Sequence, residues 1–203
     1  RSGLVGLISG AISGPPVGPP QGLPDLFIVQ GIQRVIGDSD TTLMIADSGG
    51  NPARVPALIR TFLEHRVDGL IYVADYHRRV DLPPVPATTP LVLANCFDGQ
   101  GTPCVLPDDE GGEHALVARL IAAGYRRIGY LSLPHTMVAH HLRNRGYLRA
   151  LAGAGIAPDP ALVVQAFREG ETALVPSFTA AVDHLLALPD PPTVICCGND
   201  EMA

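Results

Sequence analysis

Asn51-Pro52-Ala53-Arg54-Val55-Pro56-Ala57-Leu58-Ile59-Arg60-Thr61-Phe62-Leu63-Glu64-His65-Arg66-Val67-Asp68-Gly69-Leu70-Ile71-Tyr72-Val73 reads as one complete helix-and-strand unit. Val55, Leu58, Ile59, Phe62 and Leu63 recur at i, i+3, i+4, i+7 and i+8, which places one apolar stripe along a helix. Pro52 suits the first helical turn, where the amide it lacks would have no partner within the helix. Asp68-Gly69 then turns the chain into Leu70-Ile71-Tyr72-Val73, an unbroken apolar run of the kind a strand shows when both its faces are covered.

The same alternation extends in both directions. Upstream, Gly3 to Ile8 predicts a buried strand, residues 25–37 a helix carrying Leu26, Val29, Ile32 and Val35/Ile36, and Thr42 to Ala46 a second strand. Downstream, Leu91 to Ala94 and the shorter Cys104 to Leu106 predict strands. A helix over 109–123 ends at Gly124, which can take the left-handed conformation past a helix end. Arg127 to Leu133 predicts a strand, 138–153 a helix, Leu162 to Val164 a strand, 172–188 a helix and Thr193 to Cys197 a strand. Strands and helices in this rhythm imply right-handed crossovers and parallel sheets. Two such runs in succession predict two α/β lobes, over 1–95 and 96–203. Ligands in open parallel sheets lie beyond the carboxyl ends of the strands, which directs attention to the loops after Ile8, Val73, Ala94, Leu133, Val164 and Cys197. Two proline-rich stretches, 14–24 and 81–90, carry no periodicity.

The 203 residues suffice for one or two cores, and 46% hydrophobic with 17% charged residues fits a folded chain rather than a disordered one. No apolar run reaches the ~18 residues of a membrane span, so no membrane association is expected. The start, Arg1 to Ile8, lacks the apolar region and cleavage site of a signal peptide and reads as a strand. Cys96, Cys104, Cys196 and Cys197 show no CxxC spacing, and neighbours on a strand point to opposite faces. Reduced, buried thiols and a cytoplasmic location are therefore expected. A net charge of −6 is the wrong sign for a surface that grips phosphates, so these residues hold no nucleic-acid footprint.

Catalytic signatures are missing from the sequence. There is no GxGxxG after the first strand, no GxxxxGK[ST] and no GxSxG. His140-His141 are adjacent, whereas helical metal ligands need i, i+4 spacing, so exposed helix positions are the simpler reading. Asp108-Asp109-Glu110, just ahead of a helix, read as capping groups that complement the helix dipole. Neither an enzyme nor a metal or cofactor site is expected.

Several segments, in their order, resemble the lac-repressor (LacI/GalR) family of transcription regulators. Leu63 to Ile71 looks like its helix-to-strand junction, and Val105-Leu106-Pro107-Asp108-Asp109-Glu110-Gly111-Gly112 like the segment opening its second lobe. Ala123-Gly124-Tyr125-Arg126-Arg127-Ile128-Gly129-Tyr130-Leu131 is similar to its LGHRRIAFL element. Arg143-Asn144-Arg145-Gly146-Tyr147 with Ala150-Leu151 is similar to its RxxGF…AL helix, and Asn199-Asp200-Glu201-Met202-Ala203 to its NDxMA motif. The resemblance covers nearly the whole chain. It implies a two-lobed, periplasmic-binding-protein-like (type I) α/β fold, with parallel sheets flanked by helices and a ligand cleft between the lobes. It implies the effector-binding and dimerisation domain of a sugar-responsive repressor, acting as a homodimer on operator DNA through a helix-turn-helix headpiece outside these residues. A periplasmic sugar-binding protein of a transporter is the alternative; the unpaired cysteines and the AAGYRRIGYL element favour the regulator.

The resemblance also implies ligand contacts. Arg143 and Asp200 match positions that hold hydroxyl or carboxylate groups, which suits a rigid fork of donors and a charged acceptor. A solvated helix charge is the alternative for Arg143, and a helix N-cap, compatible with ligand contact, for Asp200. Asn95, after the fourth strand, matches a ligand-contacting Asn or Asp or serves as a turn residue. Phe167 matches an aromatic that stacks on a sugar or purine face, or it packs in the core. Asn199 orients Asp200 or touches ligand, and Ser13 belongs to the loop after the first strand. That loop departs from the family pattern through an insertion rich in Pro and Gly, the helical pattern usual for the family is lost over 76–90, and the chain ends inside a motif that normally opens another helix.

Overall fold

A computed structural model of the chain describes residues 2–10, 12, 25–166 and 174–203. Ser13, Phe167 and the proline-rich 14–24 stretch lie outside the described residues. The chain forms two compact units and passes from the first to the second at Pro107–Asp108. The expected boundary after residue 95 falls inside a strand. Cys104 and Val105 still pair with the first sheet before the chain leaves it.

The first unit contains β1 (Leu4–Ser9), α1 (Asp25–Ile36), β2 (Thr42–Asp47), α2 (Val55–Glu64), β3 (Gly69–Arg79), β4 (Leu91–Phe97) and β5 (Cys104–Val105). The sheet order is β2-β1-β3-β4-β5, with every pairing parallel. The helix stripe predicted after Pro52 buries Val55, Ile59 and Phe62 against Ile8, Leu70, Tyr72 and Leu93. Pro52 itself opens a short 3-10 turn, Pro52–Arg54, capped by Asn51, whose side chain accepts from Ala53 N at 3.0 Å. Gly6 on β1 makes this packing feasible. A Cβ there would come within 2.9 Å of the Phe62 ring and of Leu70, tighter than side chains tolerate. Asp68 ties the start of β1 to that of β3, accepting from Ser2 N at 3.0 Å and Gly3 N at 2.9 Å. Those backbone donors hold its carboxyl below the ordinary carboxylate range.

β3 runs well past the predicted end at Val73 and reaches Arg79. The β3–β4 register jumps from Val73↔Ala94 to Arg78↔Cys96, so a bulge of β3 stands opposite Asn95. Residues 76–90 indeed contain no helix, since β3 and a segment without regular structure occupy them.

The second unit contains α3 (Asp109–Ala122), β6 (Ile128–Ser132), α4 (Val138–Gly153), β7 (Val163–Gln165), α5 (Leu174–Leu186) and β8 (Val194–Cys197). Its sheet order is β7-β6-β8, again parallel. β6 is buried along its whole length, as its unbroken apolar pattern requires. Tyr130 faces a cluster with Val117, Tyr147, Ala150, Leu151 and Cys196, whereas Leu131 faces one with Leu133, Ala181 and Leu185. Cys196 and Cys197 divide between these two faces, which is why the adjacent thiols remain unpaired. All four cysteines are free, and Cys104 is exposed rather than buried as expected. α3 and α4 pack closely at Gly146, where a Cβ would collide with the Glu110 carbonyl oxygen and lie 2.9 Å from Glu113 Cβ. The glycine of the RxxG segment is therefore a helix-crossing residue.

Candidate functional site

In the second unit, the amino end of α3, the first turns of α4 and the carboxyl end of β8 converge on Arg143. Asp108 caps α3, its Oδ1 accepting from Gly111 N at 2.9 Å, as the acidic run predicted. Asp109 does something else. Its side chain is 1% exposed and its Oδ1 accepts from Arg143 Nε at 2.7 Å and from Arg143 Nη2 at 2.7 Å. Arg143 Nη1 donates to the carbonyl of Gly198, the residue that follows β8. Arg143 is thus not a solvated helix charge; its side chain is 27% exposed and joins three elements.

Asn199 and Asp200 follow that carbonyl directly. Asn199 is the N-cap of the 3-10 turn Asp200–Met202, its Oδ1 accepting from Met202 N at 3.1 Å. The capping role considered for Asp200 therefore falls to Asn199, and Asp200 stands exposed at the head of the turn.

Beneath Arg143, Glu113 sits one turn along α3 from Asp109 and is also buried. It accepts from the Cys196 thiol at 2.9 Å. Burial raises the Glu113 carboxyl above its ordinary value, partly offset by the Cys196 hydrogen bond and the Arg143 charge. Burial and the neighbouring Glu113 push the Cys196 thiol well up. The Tyr130 hydroxyl, fully buried in the same cluster, has no hydrogen-bond partner among the described residues. Tyr147 stacks on Tyr130 with ring centroids 5.1 Å apart and donates to the Ile128 carbonyl at 2.9 Å; burial pushes its hydroxyl up to about 12.

The loop after β6 and the first turn of α4 hold groups whose contacts the sequence pattern does not reveal. His140 was expected to be an exposed helix residue, but it is half-buried, and its Nδ1–H donates to the Leu133 carbonyl at 2.7 Å. A carbonyl only accepts, so that bond fixes the proton on Nδ1 and leaves Nε2 as an acceptor. Burial holds His140 below the ordinary imidazole value. His141 is exposed, as expected. His135 meets Gln165 Oε1 through its backbone N at 3.2 Å and its Nδ1 at 3.0 Å. The rule that ligands lie beyond strand ends pointed to this loop; nothing in the spacing singled out Asp109 as the partner of Arg143 over capping.

In the first unit, Asn95 lies within β4 rather than after it. Its backbone is left-handed, at φ 60°, and it is buried opposite the β3 bulge. Its Nδ2 donates to the Ala74 carbonyl at 3.1 Å. Nearby strand-end polar groups are also directed at backbone: Ser48 Oγ donates to the Gly10 carbonyl at 3.1 Å. Among the described residues no group of three or more His, Cys, Asp or Glu could hold a metal ion. No helix among them is long and apolar enough to cross a membrane.

Two parallel α/β units in succession, the second offering an oriented guanidinium and an exposed carboxylate at its strand ends, define a class of small-molecule-binding proteins. The chain belongs to the family described as periplasmic binding proteins and sugar binding domain of LacI family, which matches residues 26–203. It is 27% identical over 184 residues to the HTH-type transcriptional repressor CytR of Escherichia coli K12, covering 87% of this chain and 51% of the relative. It is 29% identical to the HTH-type transcriptional regulator GalR of the same organism, covering 87% of this chain and 50% of that one. A solved structure assigned to a LacI-family transcriptional regulator from Rhizobium etli superposes with a TM-score of 0.84 at 30% identity, covering 100% of this chain and 70% of that one. The chain spans about half the length of the curated relatives it matches. Its likeness to transcription regulators supports the effector-binding domain of a LacI-type regulator over the transporter alternative.

Proposed function

We propose that this domain binds a neutral, hydroxyl-rich effector, a sugar or nucleoside, at the strand ends around Arg143 and Asp200. The geometry of Arg143 carries the reading. A guanidinium held by Asp109 and the Gly198 carbonyl is pre-oriented, so little rotamer entropy is lost when its remaining N–H groups meet ligand oxygens. Asp200, exposed two residues after Gly198, supplies an acceptor for paired hydroxyls, and Asn199 holds the turn that presents it. Asn95, Ser13 and Phe167 are proposed as further ligand contacts. For Asn95 this role falls to Oδ1 and the second amide N–H, because the Ala74 carbonyl engages one of the two.

The whole protein is proposed to be a cytoplasmic, homodimeric repressor. It joins this domain to a headpiece that binds operator DNA, and it works by binding, without turnover or cofactor. The effector shifts DNA affinity by binding one arrangement of the domain more tightly than the other.

Calorimetric titration of the chain with ribose, sucrose, galactose and cytidine tests the site. Saturable binding of one of them is expected. D200N, whose exposed side chain leaves the fold untouched, should weaken it about ten- to a hundred-fold, the loss of one charge-assisted hydrogen bond or two. R143A, checked for folding by near-ultraviolet circular dichroism, should abolish it. Undiminished binding by a folded R143A removes the site assignment.

A further inference from the structure

The placement of Asp109 bears on which ligands the site accepts. Arg143 carries five N–H donors, and Asp109 and the Gly198 carbonyl take three of them. The carboxylate that takes two is almost wholly buried, so the opposing charges face each other with little water to screen them. Glu113 lies one helical turn below on the same side of α3, and Asp200 follows the Gly198 carbonyl by two residues. An anion approaching Arg143 meets a cation already matched by Asp109, with further carboxyl groups close by. A hydroxyl group meets oriented N–H donors and pays no such repulsion.

We infer that Asp109 is a specificity-determining residue, which clamps and neutralises Arg143 so that the site takes uncharged polyols and rejects phosphorylated or carboxylated ligands. This rests on the reading of Arg143 as an effector contact. Asp109→Asn is the informative change: its amide oxygen still accepts from Arg143 Nε–H, so the geometry is kept while the compensating charge is removed.

Two measurements on the chain test the role. The first follows hydrogen exchange of the Arg143 Nε–H by ¹⁵N NMR, assigned by its loss in R143K. In the wild type this proton is expected to exchange at least ten-fold more slowly than the arginine side chains exposed to water. Exchange as fast as theirs overturns the clamp. The second titrates inorganic phosphate, chosen because it needs no knowledge of the effector. D109N is expected to bind phosphate about ten-fold or more tightly than wild type, as one uncompensated charge near a protein surface predicts. The gain should vanish in D109N/R143A. Equal phosphate affinity in wild type and folded D109N overturns the proposal. Neither result depends on sugar binding, so sugar binding that survives R143A defeats the effector reading alone.

Discussion

The carboxyl ends of the two sheets use polar residues in opposite ways. In the first unit, the buried and neutral Asn95 and Ser48 direct hydrogen bonds at nearby backbone carbonyls, and the Asp75–Arg78 ion pair at the bulge of β3 stays partly exposed. In the second, Asp109, Arg143 and Glu113 bring ionisable groups into a largely buried cluster that ties α3, α4 and β8 together. A neutral amide on a carbonyl contributes about 1 kcal/mol and is inexpensive to bury. A buried ion pair contributes little net stability, yet losing one partner is costly because the other charge is stranded. The first arrangement holds the backbone in shape; the second holds a side chain ready.

That contrast sets the sizes of the mutational effects. Arg143→Met should destabilise the second unit by about 3 kcal/mol in urea denaturation, since it leaves the Asp109 carboxylate buried without its cation. The D109N/R143M double variant should recover most of that loss. A double variant as unstable as the single one would show that packing, not stranded charge, sets the cost.

Asn95 should give smaller effects that divide into two parts. Asn95→Ala loses the bond to Ala74 and places a less tolerant residue at φ 60°, for a cost of about 2 kcal/mol. Asn95→Gly loses the bond but suits the backbone, and should cost about 1 kcal/mol less. Equal costs would mean the left-handed conformation stores no strain.

The smallest effect is a pH dependence. Burial raises the Glu113 carboxyl in the folded chain, so the fold favours its protonated form. The unfolded chain releases that proton more readily. Stability should therefore fall as pH rises from the ordinary value of 4.5 toward the raised one, and level off above it. Asp68 and Asp159, both held low, act with the opposite sign and lose their contribution as pH falls. Comparing Glu113→Gln with wild type by thermal melts between pH 4 and 7 isolates the first effect. Parallel curves would remove the strain assigned to Glu113.

Most element positions were legible because burial leaves a periodic trace. The 55/59/62 stripe on α2 and the unbroken apolar runs of β1 and β6 are written by the requirement that one helix face or both strand faces be dry. β3 ran past its expected end because Tyr76, His77 and Arg78 give no apolar signal, and only beyond the bulge does β4 take the strand up again, through Arg78↔Cys96 and Arg79↔Phe97. The same limit applies to the site. Arg143, Asp200 and Asn199 could be nominated from motif resemblance, but their hydrogen-bond partners could not.

By itself, the sequence determined the alternation of strands and helices, the parallel two-unit class, and the segments that reach the strand ends. These follow from local periodicity and turn chemistry, which act over a few residues. Only the tertiary structure decided that Asp109 would hold Arg143 rather than merely cap α3, and that Asn95 would adopt a left-handed backbone within β4. Each of these depends on groups far apart in the chain, or on the exact register of neighbouring strands. Pattern along a sequence records which residues are buried, but not which partner meets them there.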